Sequence, residues 1–197
     1  KSFINKDFSI DYLQISTKEN NLNDLVMLAR SFKNSAELFI LNKIIKEGYL
    51  VGDINLNFDS NGKIKKNYEI TGFIKKVKLN ISSKHFVRDL NFTFNIKDKK
   101  YFLEDIEGFF NQVKLLSPSI KIKEKNNQFL VSGKLLSKKD DNNIKVFIKL
   151  LENSFKDHSI ESVNFSSDNN FTFAINKKFK VSNFNLESKI DLHSLLY

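Results

Sequence analysis

The chain has 197 residues, 41% hydrophobic and 28% charged, which excludes a disordered composition and suits one large domain or two small ones. Its formal net charge of +9 admits nucleic acid or an anionic membrane as partner, but lysines filling the solvent faces of strands give the same balance. Cysteine is absent, which excludes a disulfide framework, a cysteine zinc site and a thiol nucleophile.

Lysine, asparagine, isoleucine and phenylalanine dominate, a bias that AT-rich codon usage also produces. No apolar run approaches the roughly 20 residues needed to cross a bilayer. The longest, LFILNKII, is interrupted by Asn42 and Lys43. The chain starts at Lys1 and stops at Tyr197, and is expected to be a piece of a longer protein with its targeting segment elsewhere.

Phe3 to Ser16 alternates loosely and predicts an opening strand. From Leu22 to Phe32 apolar residues recur at three- and four-residue spacing, which predicts a helix. Asn34-Ser-Ala-Glu37 has the form of a capping box. It opens a second helix to about Lys46, with Gly48 as its left-handed cap. A helical hairpin is the reading taken, with one bent helix as the alternative. The organisation expected is thus a short strand and helical hairpin over 1–48, then repeating β-structure over 49–197.

After Gly48 the period becomes two. Leu50, Ile54, Leu56 and Phe58 share one strand face, and Asp59-Ser-Asn-Gly62 signals a hairpin. A strand with Ile64, Tyr68, Ile70 and Ile74 on one face follows, and Val77, Leu79 and Ile81 come next, alternating with Lys78, Asn80 and Ser82. Next come Leu90 to Ile96, Tyr101 to Leu103, Val113 to Leu115, and Ile120 to Ile122, with Pro118 placed at a strand start or edge. Phe129 to Leu135 is a further strand. Ile144 to Phe155 fits both periods, and a short helix is preferred there. Val163 to Phe165, Phe171 to Ile175, Phe179 to Val181, Phe184 to Leu186 and Ile190 to Leu192 resume the alternation. About twelve strands on short connections predict a mainly β fold, an antiparallel meander. FTFNIKDKKYFLEDI from Phe92 is echoed by FTFAINKKFKVSNF from Phe171, which points to a repeating sheet unit.

Catalytic patterns are missing. His85, His158 and His193 stand apart in sequence, without a partner at ligand spacing. Asp140-Asp141 reads as a turn, and there is no glycine-rich phosphate loop and no nucleophile elbow. The chain is not expected to be an enzyme or to hold a cofactor or metal. Base stacking needs aromatics and cations on one face. Here they separate by parity: Ile120 and Ile122 alternate with Lys121 and Lys123, while Phe92 and Phe94 alternate with Asn91, Thr93 and Asn95. Nucleic acid is therefore not expected as a partner.

What covers the apolar parity set is the informative question. A sandwich or barrel folds the sheet on itself, whereas a curled open sheet would offer its lining to lipid tails. Carrying a tail of about sixteen methylenes through water costs on the order of 12 kcal/mol, which such a lining removes. Periodicity does not choose between them.

Three stretches resemble the AsmA-like group of bacterial proteins: AELFILNKIIKEGYL, GDINLNFDSNGKIKKNYEITGFIKKVKLNI, and FTFNIKDKKYFLEDI followed by LLSPSIKI. The resemblance extends from about Ala36 onward. It implies an elongated repeating β-groove in the periplasm, anchored in the inner membrane by a helix outside this segment. It also implies phospholipid as cargo, support of outer-membrane assembly and contact with outer-membrane proteins. The lining it implies is the inward set Ile54, Leu56, Phe58, Ile70, Ile74, Leu79, Ile81, Phe92, Phe94, Ile96, Ile120, Ile122, Phe129, Val131, Phe171, Phe173 and Ile175. The alternative for these residues is an ordinary closed β core in a structural or adhesive sandwich.

Overall fold

The computed structural model describes residues 10–32, 36–65, 67–98, 100–111, 113–126, 128–138, 162–176 and 180–196. The expected capping box at Asn34, the segment Ile144 to Phe155, Asp140-Asp141, His158, Phe179 and the start of the opening strand lie outside them.

The fold is mainly β. The strands are β1 (Tyr12–Ser16), β2 (Asn20–Asn21), β3 (Ile45–Asn57), β4 (Glu69–Asn80), β5 (Phe86–Lys97), β6 (Lys100–Phe110), β7 (Val113–Lys125), β8 (Gln128–Ser137), β9 (Ser162–Asn176) and β10 (Val181–Leu196). Helices α1 (Leu22–Phe32) and α2 (Ala36–Ile44) precede β3. All ten strands join one antiparallel sheet in the order β1-β3-β4-β5-β6-β7-β8-β9-β10, with β2 also on β3. From β3 onward each strand lies beside its predecessor, as in a meander. Among the described residues no ladder joins β10 to β1, and the sheet is open.

The turns explain how so many hairpins form with so few glycines. Two-residue connections join β5 to β6, β6 to β7 and β7 to β8. Their first residues, Asp98, Asn111 and Asn126, hold φ of 50°, 54° and 50°. Primed hairpin turns demand that region, and Asp and Asn tolerate it because their short polar side chains bond locally. Between β3 and β4, Asp59 Oδ1 accepts from the N–H groups of Asn61 and Lys63, both at 2.9 Å, and Gly62 sits at φ 73°.

Among the described residues there are ten strands where about twelve were expected, and bulges explain part of the difference. In β4 the chain passes from Ile74 to Val77 through Lys76 at φ 52°, and the ladder to β5 shifts there. The extra residue keeps Ile74 and Val77 on one face although they stand three apart, so strict alternation breaks inside one strand. The same device lies at Asp89 in β5 and Asp105 in β6, with φ 51° each. In β7 the ladder to β8 shifts between Leu116 and Ile120, around Pro118. Pro118 is thus inside a strand, at a bulge where its missing N–H is tolerated, and not at a strand start. The bulges cross β4 to β7 on adjacent strands, and each one locally bends and twists its strand.

At the N-terminal end, Leu22 of α1 packs with Ile45 and Val77 into a small core, flanked by Val26, Ile44, Leu50, Ile74, Leu79 and Leu90. The second helix stops at Ile44 instead of running to Lys46, and Gly48 is a strand residue instead of a helix cap. Its φ of 142° marks an irregular point in β3, inside the ladder shift between Glu47 and Tyr49. A Cβ there would stand 2.7 Å from Leu22 Cδ1, so glycine lets α1 settle on the sheet. The boundary expected after residue 48 falls inside β3, while β1 and β2 both pair with that strand.

Candidate functional site

Side chains of directly paired residues share one face of a sheet, so the ladders define the candidate site. One row crosses nearly the whole sheet: Ile15, Ile54, Ile70, Ile96, Tyr101, Ile122, Val131 and Phe173 are paired strand by strand. Beside it runs Gly52, Gly72, Phe94, Leu103, Ile120, Gly133, Phe171 and Leu186. A third row begins Leu50, Ile74, Phe92. Leu56 pairs with Leu13, and Phe129 with Ile175. At about 4.8 Å per strand, a row over seven spacings measures roughly 34 Å.

The sequence-predicted lining set therefore lies on one face, apart from two residues. Phe58 sits beyond β3 in an isolated bridge with Ile64, and Ile81 lies in the β4–β5 connection, 53% exposed. Ile74 and Leu79 share the face but pack in the small core beneath α1. The expected set lacked Tyr101, Leu103, Val87, Leu90 and Ile106, which the ladders add to this face. Their signal was a spacing of three between apolar residues (Val87 to Leu90, Leu103 to Ile106) across a residue with positive φ.

The rings on this face lie over glycines. A Cβ built on Gly72 would meet Phe94 Cζ at 2.8 Å, and one built on Gly133 would meet Phe171 Cζ at 2.7 Å. Each ring thus lies across a neighbouring strand and covers backbone that glycine leaves bare. The two FTF segments do this out of step. The second phenylalanine of the first segment covers a glycine, but in the other segment it is the first. Phe171 and Phe173 then stack on each other at 5.8 Å, and Phe173 contacts Phe184 of β10 at 6.4 Å.

Burial is slight in the molecule as a whole, and the central residues of this face, such as Ile70, Ile96 and Ile122, are half-buried. Among the described residues, eight hydrophobic side chains are buried while twenty-one large ones are exposed, and no large side chain is completely enclosed. A closed sandwich of this size would reverse that balance. Val131 and Phe171 are buried among rings and branched side chains of adjoining strands, whereas the apolar residues of β10 stand in solvent.

The opposite face carries cross-strand ion pairs. Lys78 meets Glu47 at 3.2 Å, Lys97 meets Glu69 at 3.8 Å and Lys134 meets Asp168 at 2.5 Å. The separation of aromatics from cations is less complete than the alternation predicts. Lys75 lies over Phe73 at 5.9 Å and Arg88 over Phe109 at 5.2 Å, both on this second face. Phe102 and Leu130 also belong to it, paired around Lys121 and Lys123. Strands with bulky residues on both faces hide such rings from a parity argument.

One titratable group stands out. Tyr101, within the long apolar row, has its phenol pushed above the usual 10.0, first by burial and then by the neighbouring Tyr68 and Glu124. His85 stacks on Phe110 at 5.6 Å and its Nδ1 lies 3.3 Å from the Asn111 amide, while His193 Nε2 lies 3.1 Å from Ser166 Oγ. Among the described residues no group of three or more His, Asp or Glu is placed to hold a metal ion, and no helix is long and apolar enough to cross a membrane. An open notch of about 380 Å³ lies at the bulges of β6 and β7, lined by Asp105, Ile106, Ser117 and Pro118. The apolar face presents branched and aromatic side chains, with the Phe94 and Phe171 rings seated over Gly72 and Gly133. Comparison of the chain with family models, with curated proteins and with solved structures gives no match.

Proposed function

We propose that the chain is a segment of a periplasmic, AsmA-like protein, anchored in the inner membrane outside this segment, whose open sheet face shields phospholipid acyl chains bound for the outer membrane. The observation that carries this reading is the unbroken apolar row from Ile15 to Phe173 across an open sheet. Each methylene leaving water for such a surface gains about 0.8 kcal/mol. A row of branched and aromatic side chains provides that gain at every point along the path, without a site that would trap the tail. The opposite face mixes cross-strand ion pairs with rings such as Phe73 and Phe109. A structural sandwich with the same residues would need a second layer over this face.

Native mass spectrometry of gently purified protein tests the proposal. Copurifying phospholipid is expected, and it should be lost when Phe92, Phe94 and Phe173 are changed together to Asp. Ile122→Asn, a smaller change in mid-row, should weaken retention while circular dichroism still reports a β-sheet. Protein that never retains phospholipid under mild purification, or retains it equally in folded variants, would sink the idea.

A further inference from the structure

The ladders also assemble a surface on the face opposite the apolar row. One cross-strand row there reads Glu69, Lys97, Lys100, Lys123, Leu130 and Ala174, each paired with the next. Lys121 and Lys125 stand two residues to either side of Lys123 on β7, so they share its face. Five exposed lysines thus meet on β5, β6 and β7, in the middle of the sheet, with β4 and β8 paired on either side.

Elsewhere on this face Lys75, Lys78 and Lys134 each hold a carboxylate, from Glu19, Glu47 and Asp168. Within the patch Lys97 holds Glu69 at 3.8 Å. Among the described residues no ion pair holds Lys100, Lys121, Lys123 or Lys125. Asp98 in the turn and Glu104 further along β6 pair with none of the five, and Glu124 lies on the apolar face. Lys100 and Lys123 are also directly opposed, and like charges so placed are destabilising. An anion lying over them relieves the repulsion.

We infer that this patch docks the protein onto the anionic headgroups of a phospholipid bilayer. Lysine ammonium groups are compact point charges that meet phosphates by number rather than through a rigid fork, and the patch contains no arginine. Phe102, paired with Lys121, and Leu130, 41% exposed, put apolar side chains among the cations, as a membrane interface favours. A single-stranded nucleic acid asks for successive accessible rings, and the patch has one, half-buried. Each lysine near an anionic membrane strengthens binding by about fivefold, so the four unpaired ones together give on the order of several hundredfold. The docking does not depend on a lipid held by the apolar face.

Vesicle cosedimentation of the 197-residue chain tests this. Binding is expected to vesicles of phosphatidylglycerol mixed equally with phosphatidylcholine, not to phosphatidylcholine alone, and should fade as salt is raised. Lys100→Gln and Lys123→Gln should each weaken it about fivefold. Lys78→Gln removes the same charge from the same face outside the patch, and should change binding by less than about twofold. Thermal melts keep lost binding apart from lost fold: Lys123→Gln removes a like-charge pair and should be no less stable than the unchanged chain. Phospholipid retention in native mass spectrometry reads the apolar face separately, and neither lysine variant should alter it. A chain that ignores anionic vesicles overturns the inference, as does equal weakening by Lys78→Gln, which would make net charge the cause. Equal binding to neutral vesicles overturns it by assigning the contact to the apolar face. A single-stranded oligonucleotide bound more tightly than the vesicles, through the same lysines, overturns it in favour of nucleic acid.

Discussion

Asn91 holds the backbone of Lys76 across the β4–β5 ladder: its Oδ1 accepts from the Lys76 N–H at 2.9 Å. Its Nδ2 donates to the Asp89 carbonyl at 2.7 Å, so one side chain ties two bulges together. Lys76 is the one residue among the described positive-φ positions that is neither Asp, Asn nor Gly. A lysine in that region costs about 1–2 kcal/mol without a local bond of its own to offset it. The bond from Asn91 supplies from outside what an Asx side chain supplies from within. Asn91→Ala should therefore destabilise the protein by about 1–2 kcal/mol in urea unfolding. Lys76→Asn should stabilise it by about 0.5–1 kcal/mol, and should soften the loss when combined with Asn91→Ala. Additive effects would count against the coupling.

The two ring-covered glycines make unequal demands. A Cβ on Gly72 would stand 2.4 Å from the Val51 carbonyl oxygen, which is backbone in a paired strand, besides meeting the Phe94 ring. On Gly133 the nearest atoms are side-chain ends, Phe171 Cζ at 2.7 Å and Ile120 Cγ1 at 2.9 Å. Gly72→Ala is expected to cost about 2–3 kcal/mol, because β3 itself must move. Gly133→Ala should cost about 1 kcal/mol, with the Phe171 ring turning aside. Thermal melts of the two variants check the order. Equal losses would mean that the rings, not the backbone, set the cost.

Much of the architecture was legible from period-two alternation, because residues such as Ile120, Ile122, Phe129 and Val131 sit in unbulged stretches whose parity survives unchanged. Where a residue with positive φ intervenes, strict alternation breaks: Ile74 and Val77 have opposite parity in sequence, although one bulge keeps them on the same face. Gly48 was misread for a related reason. A glycine after an apolar helical run signals a cap, but here its freedom serves a strand irregularity beneath α1. The partner of each ring was not legible at all. Phe94 over Gly72 and Phe171 over Gly133 depend on the ladder register, which no spacing within either strand encodes.

The seat of α1 gives a sharper test of packing. Gly48→Ala places a Cβ 2.7 Å from Leu22 Cδ1 and 3.0 Å from Val77 Cγ2, at a φ of 142° that side chains rarely adopt. The loss expected is about 2–4 kcal/mol, the sum of backbone strain and overpacking. Leu22→Ala alone opens a gap in the Leu22–Ile45–Val77 cluster and should cost about 2–3 kcal/mol. The pair should cost clearly less than the sum, because removing the leucine clears the space while the strain remains. A double-mutant cycle by urea denaturation measures the difference, and strict additivity would place α1 elsewhere.

Tyr101 reports on water at the apolar row. Its phenol is held above the usual 10.0, so the folded protein keeps a proton that the unfolded chain releases. Under linkage the folded state then binds more protons between the two values, and stability falls with rising pH in that window. The contribution is fully present below the unfolded value of 10.0 and is lost as pH climbs through the folded one. Tyr101→Phe should unfold less steeply with alkali than the unchanged protein, and the difference between the two curves isolates this group from the lysines and other tyrosines. Burial is the leading cause of the shift, so an acyl chain lying along Ile96, Tyr101 and Ile122 should raise it further. Ultraviolet titration of the phenolate, with and without phospholipid, reads that change directly. A titration curve that lipid leaves unmoved, in protein shown to have bound lipid, would place the acyl chain away from this row.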